Sequence, residues 1–172
     1  SDGTNIYLAS TAEVQKIAGT TVGSGTGNVW TMTGMTDGDG VWVANGFLIA
    51  SDGPRLTWLP STVDESVNYD IASATFSQVD TWVSVVGTPV GVYAAGNQGN
   101  QGRIYYIGIN DSTSALNVPV IAAELPSGET VNVIAEYGGL VIIGTSKGVR
   151  LAQITGQGYI TYGPRIDMDN EV

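Results

Sequence analysis

The first candidate for chemistry is a short acidic turn, Thr36-Asp37-Gly38-Asp39-Gly40. Its two carboxylates stand two residues apart between glycines, which is typical of the start of an oxygen-ligand calcium loop. The later ligands of an EF-hand loop are missing, because the twelfth position counted from Asp37 is Leu48 rather than Glu. Asp-Gly is also an ordinary turn dipeptide. Asp37 and Asp39 are therefore the metal candidate, and we expect no cofactor, with calcium as the alternative.

Three arginines recur at or near the start of a predicted strand: Arg55, Arg103 and Arg150. One interpretation is a set of cations that binds an acidic ligand. The other is structural, since the rigid fork of a guanidinium suits a bidentate pair with a carboxylate on a neighbouring strand. Asp80 and Glu136 are the candidate partners by position, and we favour the structural ion pairs.

A glycine-rich polar segment follows the third apolar run of the chain. It contains four side-chain amides, Asn97, Gln98, Asn100 and Gln101. The segment is no phosphate loop, because it lacks the Gly-Lys-Ser/Thr ending and no helix follows it. The plain interpretation is a polar hairpin tip, although amides also hydrogen-bond sugars and peptides. We keep these four residues as binding candidates.

Four tryptophans could stack on sugar rings if they lined a surface groove. Trp42 and Trp82 occupy corresponding first strands, which favours a repeated core role, and Trp58 lies on a third strand. Trp30 follows Gly27-Asn28 and is the one we expect to be exposed. Trp30 therefore joins the amides as a binding candidate.

The residue inventory excludes several kinds of catalysis. The chain has no histidine and no cysteine, which removes Ser-His-Asp and Cys-His catalysis and His-ligated zinc. A glycosidase needs two carboxylates held at a fixed separation. The 16 acidic residues lie mostly in turns and at the C-terminal end, and nothing singles out a pair. We expect a protein that is not an enzyme.

Charge also limits the partners. Sixteen acidic residues against six basic ones give a net charge of −10, which argues against nucleic acid as the main partner. No apolar run approaches the length that spans a bilayer, so we expect no membrane insertion.

Four apolar runs that end on Ser or Gly look like copies of one pattern. They are Ile6-Tyr7-Leu8-Ala9-Ser10, Phe47-Leu48-Ile49-Ala50-Ser51, Val92-Tyr93-Ala94-Ala95-Gly96 and Leu140-Val141-Ile142-Ile143-Gly144. Each leads through a polar turn into another apolar strand, and the pattern recurs about every 45 residues, a period typical of propeller blades. The sequence thus predicts an all-β, propeller-like array of about four antiparallel blades.

Local signals add detail to the predicted blades. Asn45-Gly46 and Gly138-Gly139 are preferred in two-residue hairpin turns, because both positions tolerate positive φ. The second strands are apolar on both faces, most clearly at Leu140–Ile143, which predicts that they are sandwiched between neighbouring blades. Fourth strands are expected at Ile71–Phe76 and Val118–Ala123. A β-sandwich is the competing architecture, although it does not explain the repetition.

The approximate blades are 1–40, 41–80, 81–130 and 131–172, within a single propeller region. An open array leaves an apolar blade face uncovered at each end. We therefore expect the sequence to be an excerpt of a longer chain that forms a larger propeller.

The segment Glu136–Arg150, followed by Gly163-Pro164-Arg165, resembles blades of minor tail proteins and of tail-tip or fibre proteins of tailed bacteriophages. The shared pattern is a strand that ends in Gly-Thr, a Lys-Gly turn, Val-Arg, and a later Tyr-Gly-Pro. The other units depart from it, since Gly-Thr becomes Ser51-Asp52 or Gly96-Asn97.

The resemblance implies a non-enzymatic virion structural protein that scaffolds tail-tip or fibre assembly in the tail. Its expected partners are other tail subunits, further copies of itself in a homo-oligomer, and a host-surface glycan or protein. A secreted or cell-surface propeller that binds glycans is the alternative, followed by a propeller glycan hydrolase or lyase.

Overall fold

The strand-forming residues of the chain build a series of small antiparallel sheets. A computed structural model of the protein describes residues 5–10, 13–18, 21–22, 29–31, 36–60, 72–110, 112–113 and 115–166. Apart from one 3-10 turn at Gly156–Gly158, the regular structure of these residues is strand. The predicted all-β class is confirmed, and none of the sheets in the described ranges is closed. No helix in this part of the chain has the length and apolar character needed to cross a membrane.

The sheets follow one another along the chain, and we number them in that order. Sheet 1 contains β1 (Asn5–Ser10), β2 (Glu13–Ala18), β3 (Thr21–Val22) and β4 (Val29–Thr31). Sheet 2 contains β5 (Gly40–Ala44), β6 (Phe47–Asp52), β7 (Arg55–Pro60) and β8 (Ala72–Thr75). Sheet 3 contains β9 (Thr81–Thr88), β10 (Gly91–Gln98), β11 (Gln101–Ile107) and β14 (Val120–Glu124). Sheet 4 contains β15 (Val131–Tyr137), β16 (Leu140–Thr145), β17 (Gly148–Ile154) and β18 (Ile160–Tyr162).

Sheets 2, 3 and 4 are meanders in which each strand pairs with the next. In sheet 3 a two-stranded ribbon, β12 (Ile109–Asn110) and β13 (Ala115–Leu116), is inserted before β14. In sheet 1, β3 and β4 pair with opposite ends of β2. The predicted fourth strands correspond to β8 and β14, although Ile71 lies outside the described residues.

The two predicted hairpin turns are confirmed. Asn45 and Gly46 have φ of 49° and 78°, and they join Ala44 to its partner Phe47. Gly138 and Gly139, with φ of 60° and 84°, join β15 to β16 in the same way. Positive φ at both central positions gives the twist that flanking antiparallel strands require.

The chain divides into two compact units, Ser1–Ser77 and Gln78–Val172. In the first unit, sheet 1 packs on sheet 2. Tyr7 and Val14 of sheet 1 form one apolar cluster with Leu48, Ala50 and Leu59 of sheet 2. The first strands β1 and β5 of the two sheets are in contact.

In the second unit, sheet 3 packs on sheet 4 in a similar way. Their shared core is built chiefly from Tyr93, Ala95 and Ile104 of sheet 3 and Val141, Ile143, Ala152 and Ile160 of sheet 4. The first strand β9 contacts the first strand β15, and the last strand β14 contacts the last strand β18. Two sheets with the same strand order are therefore stacked with like strands opposite each other.

The sheets can be located relative to the four predicted intervals. Each four-stranded sheet falls within one predicted interval, except that β5 begins at Gly40. Closure of these sheets into a propeller, and a single region rather than two units, stay predictions.

The expectation that every second strand is covered on both faces is wrong for β16. Phe47–Ser51 of β6 and Gly91–Gly96 of β10 are fully buried. In β16, however, Leu140 is exposed and Ile142 is only half-buried, whereas Val141 and Ile143 are buried. Val141 and Ile143 lie on the face that packs on sheet 3, whereas Leu140 and Ile142 lie on the opposite face.

Candidate functional site

The most strongly charged buried site surrounds Glu129, just before the start of β15. A turn at Ser127-Gly128, with φ of +80° at Gly128, brings the Glu129 amide within 3.1 Å of the Pro126 carbonyl oxygen. The carbonyl oxygen of Glu129 accepts a hydrogen bond of 2.9 Å from the Gly102 amide in β11. The backbone of this residue is therefore fixed to sheet 3 while its side chain reaches into sheet 4.

The Glu129 carboxylate is held by two side chains of sheet 4. Arg150 donates from Nε to Oε1 at 2.9 Å and from Nη2 to Oε2 at 2.7 Å, which is the bidentate geometry that a guanidinium favours. The Thr145 hydroxyl lies 2.7 Å from Oε1. Since Glu129 is only 2% exposed, the pair is almost completely removed from water.

These contacts decide the charge of the site. Hydrogen bonding from Arg150 is the main cause that lowers the pKa of Glu129 to about 2, against the opposing effect of burial, and Thr145 lowers it further. Arg150 also donates to the Gly163 carbonyl oxygen at 3.2 Å and lies 5.2 Å from the centroid of the Tyr162 ring. A general acid or base needs a pKa near the working pH. The Glu129 carboxylate is therefore suited to structure rather than to proton transfer.

Arg103, which occupies the same place in β11 as Arg150 in β17, makes a second polar cluster. Its Nε donates to Glu124 Oε1 at 2.7 Å, and its Nη1 donates to the Gln78 carbonyl oxygen at 2.8 Å. The side-chain oxygens of Gln98 and Gln101 accept from its Nη1 and Nη2 at 3.2 and 3.3 Å. The cluster ties β11 to β14 and to the chain before β9.

The acids that pair with these arginines differ from the ones predicted by position. Asp80 Oδ2 accepts a hydrogen bond of 2.9 Å from the Gly99 amide, and Glu136 Oε1 accepts one of 2.8 Å from the Gly139 amide. Both carboxylates therefore stabilise turns of their own sheets. Arg55 begins β7 opposite Asp52, in a register two residues away from that of the other two arginines.

The predicted amide-rich tip serves internal contacts at three of its four positions. Asn97 Nδ2 donates to the Val131 carbonyl oxygen at 2.8 Å, and the Val131 amide donates back to Asn97 Oδ1 at 2.8 Å. Gln101 Nε2 donates to the Leu125 carbonyl oxygen at 3.1 Å, while Gln98 accepts from Arg103 as described above. Asn100 lies exposed in the turn between β10 and β11.

Two polar side chains of sheet 3, Asn97 and Ser84, pair with backbone groups on the free edge of β15. Asn97 satisfies both backbone groups of Val131, and the Ser84 hydroxyl likewise lies 3.1 Å from the amide nitrogen and 3.3 Å from the carbonyl oxygen of Ile134. An edge strand exposes unpaired N–H and C=O groups that favour pairing with other chains. Side chains of sheet 3 thus occupy part of the free edge of sheet 4.

Two tyrosines complete the connection between sheets 3 and 4. The Tyr93 hydroxyl donates to the Gly158 carbonyl oxygen at 2.9 Å, and burial together with the nearby Tyr106 raises its pKa to about 12. The Tyr162 hydroxyl donates to the Glu124 carbonyl oxygen at 2.6 Å. The two hydrogen bonds connect β10 to the turn before β18, and β18 to the end of β14.

The calcium candidate forms part of a repeated turn contact. Asp39 Oδ2 accepts from the Gly53 amide at 2.7 Å, just as Asp80 does from Gly99. Asp37 is exposed. Within the described ranges, no group of three or more acidic side chains lies close enough together to hold a metal ion. In sheets 2 and 3 alike, an aspartate before the first strand therefore stabilises the turn between the second and third strands.

Three of the tryptophans pack within the fold to different extents. Trp58 and Trp82 are buried, and Trp82 makes an edge-on contact with Tyr105 at a centroid distance of 5.2 Å. Trp42 is half-buried. Trp30 lies in β4 opposite Val14, and its side chain is outside the described part of the structure.

Sheet 4 carries an exposed apolar surface of the kind expected for an uncovered blade face, although sequence reasoning did not assign it to particular residues. Val133, Tyr137, Leu140 and Leu151 are exposed large apolar residues of that sheet. Leu151 is paired with Ile142, and Leu140 with Tyr137, so the side chains share one face. The signal was present in the sequence as a second strand that is apolar at every position.

Comparison with known proteins assigns no family to the chain. No protein-family model and no curated protein matches the sequence.

Proposed function

We propose that this protein is a non-enzymatic structural module that joins other proteins through the faces of its stacked sheets. The observation that carries the proposal is the apolar face of sheet 4 formed by Leu140, Ile142 and Leu151. A contiguous exposed apolar surface is typical of a site of protein–protein interaction. The polar groups support the same conclusion, since Glu129 and Asn97 are engaged in contacts between sheets.

We further propose that the sheets are blades of a larger β-propeller. Each blade of a propeller is a four-stranded antiparallel sheet, and neighbouring blades pack face to face around a common axis. The meander order of sheets 2, 3 and 4 supports this, as does the stacking of β9 on β15 and of β14 on β18. A β-sandwich of two unrelated sheets would not place like strands opposite each other.

The setting that we propose is the tail of a bacteriophage, in a tail-tip or fibre assembly. This part rests on the resemblance of residues 136–166 to blades of phage tail proteins. The partners are then other tail subunits, with a host-surface glycan or protein as a further contact. The burial of Trp58 and Trp82 does not favour the alternative of a glycan-binding surface propeller.

Imaging of native particles tests this function. An antibody raised against the chain should label the tail of particles whose genome encodes it, and prior absorption of the antibody with the purified chain should remove the label. Recovery of the chain only as free protein would contradict the proposal. Release of reducing sugar from host-wall polysaccharide, abolished by a carboxylate-to-amide substitution, would contradict its non-enzymatic part.

A further inference from the structure

The hairpin turns give a common register for all four sheets. Each turn between equivalent strands closes on one residue pair: Ser10 with Glu13, Asp52 with Arg55, Gln98 with Gln101, and Thr145 with Gly148. Counting back from these pairs assigns every residue of the second and third strands to one of two faces. We call the face that carries Leu48 and Ala50 in sheet 2, and Val141 and Ile143 in sheet 4, the leading face, and we call the opposite face the trailing face.

The second unit shows how the two kinds of face meet. The trailing face of sheet 3 carries Tyr93, Ala95 and Ile104, which pack on Val141, Ile143 and Ala152 of the leading face of sheet 4. The first unit repeats this arrangement with sheets 1 and 2. There the trailing face carries Tyr7, and the leading face carries Leu48, Ala50 and Leu59. In both units a trailing face covers a leading face.

Sheet 4 has an uncovered trailing face. Leu140, Ile142 and Leu151 occupy the positions of Tyr93, Ala95 and Ile104 in the common register. The three residues of sheet 3 are fully buried, whereas Leu140 is 39% and Leu151 is 44% exposed. Val133 and Tyr137 extend the same apolar surface along β15.

Sheet 1 has an uncovered leading face. Ile6 and Leu8 occupy the positions of Leu48 and Ala50 in the common register. They are 55% and 46% exposed, whereas Leu48 and Ala50 are fully buried. Ile17, the cross-strand partner of Ile6, is half-buried on the same face. Among the described residues, the leading face of sheet 1 and the trailing face of sheet 4 thus each carry exposed apolar side chains.

We propose that the trailing face of sheet 4 binds the leading face of sheet 1 in a second copy of this chain. The contact would continue between copies the packing that sheet 3 makes on sheet 4 within one copy. Because the two surfaces differ, the association is heterologous and generates either a closed ring or an open chain of copies. This inference deepens the proposed structural function and rests on it.

Sedimentation velocity of the purified chain over a concentration series tests the first step. The wild-type protein should form species larger than the 17.8 kDa monomer. Leu151→Asp should weaken the association at least about tenfold, because it places a charge in the apolar contact. Val118→Asp is the matched control, since Val118 is 71% exposed in the connection before β14, and it should leave the association unchanged.

Mixing of variants tests the pairing of the two faces. Leu8→Asp should weaken association as Leu151→Asp does, so that each variant alone is monomeric at concentrations at which the wild-type protein associates. An equimolar mixture should form a dimer and nothing larger, because one intact face of each kind remains. Circular dichroism establishes that the variants are folded, and Val133→Lys replaces Leu151→Asp if the latter does not fold.

Three results would overturn the inference. They are a wild-type chain that is monomeric at every concentration, a Leu151→Asp variant that associates normally, and a mixture that stays monomeric. If the purified chain is monomeric but the antibody against it still labels the tail of native particles, the proposed function stands. Its uncovered face would then bind a different protein.

Discussion

The charge of Glu129 is retained in a place where water hardly reaches it, and the surrounding residues explain how. Removing a carboxylate from water costs several kcal/mol unless other groups replace its hydration. Arg150 supplies a bidentate pair and Thr145 a hydroxyl, while the Tyr162 ring lies beside the guanidinium. A buried pair of this kind is sensitive to the loss of either partner.

Glu129→Gln should make the protein less stable and less sensitive to acid. The pKa of Glu129 falls from 4.5 to about 2 on folding, so its ionised form stabilises the native state. This stabilisation is roughly 3 kcal/mol at neutral pH and is lost as the pH falls from about 4.5 to about 2. The variant should lose a similar free energy of unfolding at neutral pH. Urea unfolding at a series of pH values measures both effects.

Glu124→Gln is the control for this experiment. Glu124 also pairs with an arginine, but its side chain is 46% exposed, and such pairs contribute about 1 kcal/mol or less. Glu124→Gln should keep the acid dependence of unfolding that the wild-type protein has. If Glu129→Gln also kept it, Glu129 would not have the structural role that we assign to it.

At the scale of the element, the first strand β15 depends on side chains of the neighbouring sheet. Its outward backbone groups at Val131 and Ile134 are paired with Asn97 and Ser84 rather than with another strand. A buried backbone group that loses such a partner destabilises the folded state by its full desolvation free energy. The amide of Asn97 therefore has a structural role that its place in a polar tip does not suggest.

Asn97→Ala should destabilise the contact between sheets 3 and 4 by about 2 kcal/mol, because it leaves two backbone groups of Val131 unpaired. Hydrogen exchange at the Val131 amide should accelerate, and the global free energy of unfolding should fall. Asn100→Ala, in the adjacent exposed turn, should change stability by no more than about 0.5 kcal/mol. Equal effects of the two variants would refute this role of Asn97.

Sequence reasoning predicts the strands well, because each depends on nearby residues. The turns at Asn45-Gly46 and Gly138-Gly139 follow from local φ preferences and fix the pairing of their hairpins. The partner of Arg150 could not be predicted in this way. Glu129 lies in a turn, where an acid is usually exposed, and only the packing of sheet 3 on sheet 4 buries it. For the same reason Asn97 looks like a binding residue in sequence and is a link between sheets in the structure.

At the scale of the whole molecule, each unit consists of two sheets stacked trailing face on leading face. This packing buries Leu48 and Ala50 on the leading face of β6, and Tyr93 and Ala95 on the trailing face of β10. Leu140 of β16 lies on the trailing face of sheet 4, opposite the face that packs on sheet 3, and it is 39% exposed. If the stacking continues beyond one chain, another sheet covers that face in the assembly.

A cryo-electron microscopy map of the native assembly that contains this chain would test this most directly. The map should show a four-stranded antiparallel sheet lying on Leu140, Ile142 and Leu151, with its first strand opposite β15 and its last strand opposite β18. Solvent on that face, a helix packed against it, or a sheet of unrelated strand order would contradict the proposal that the stacking of sheets continues there.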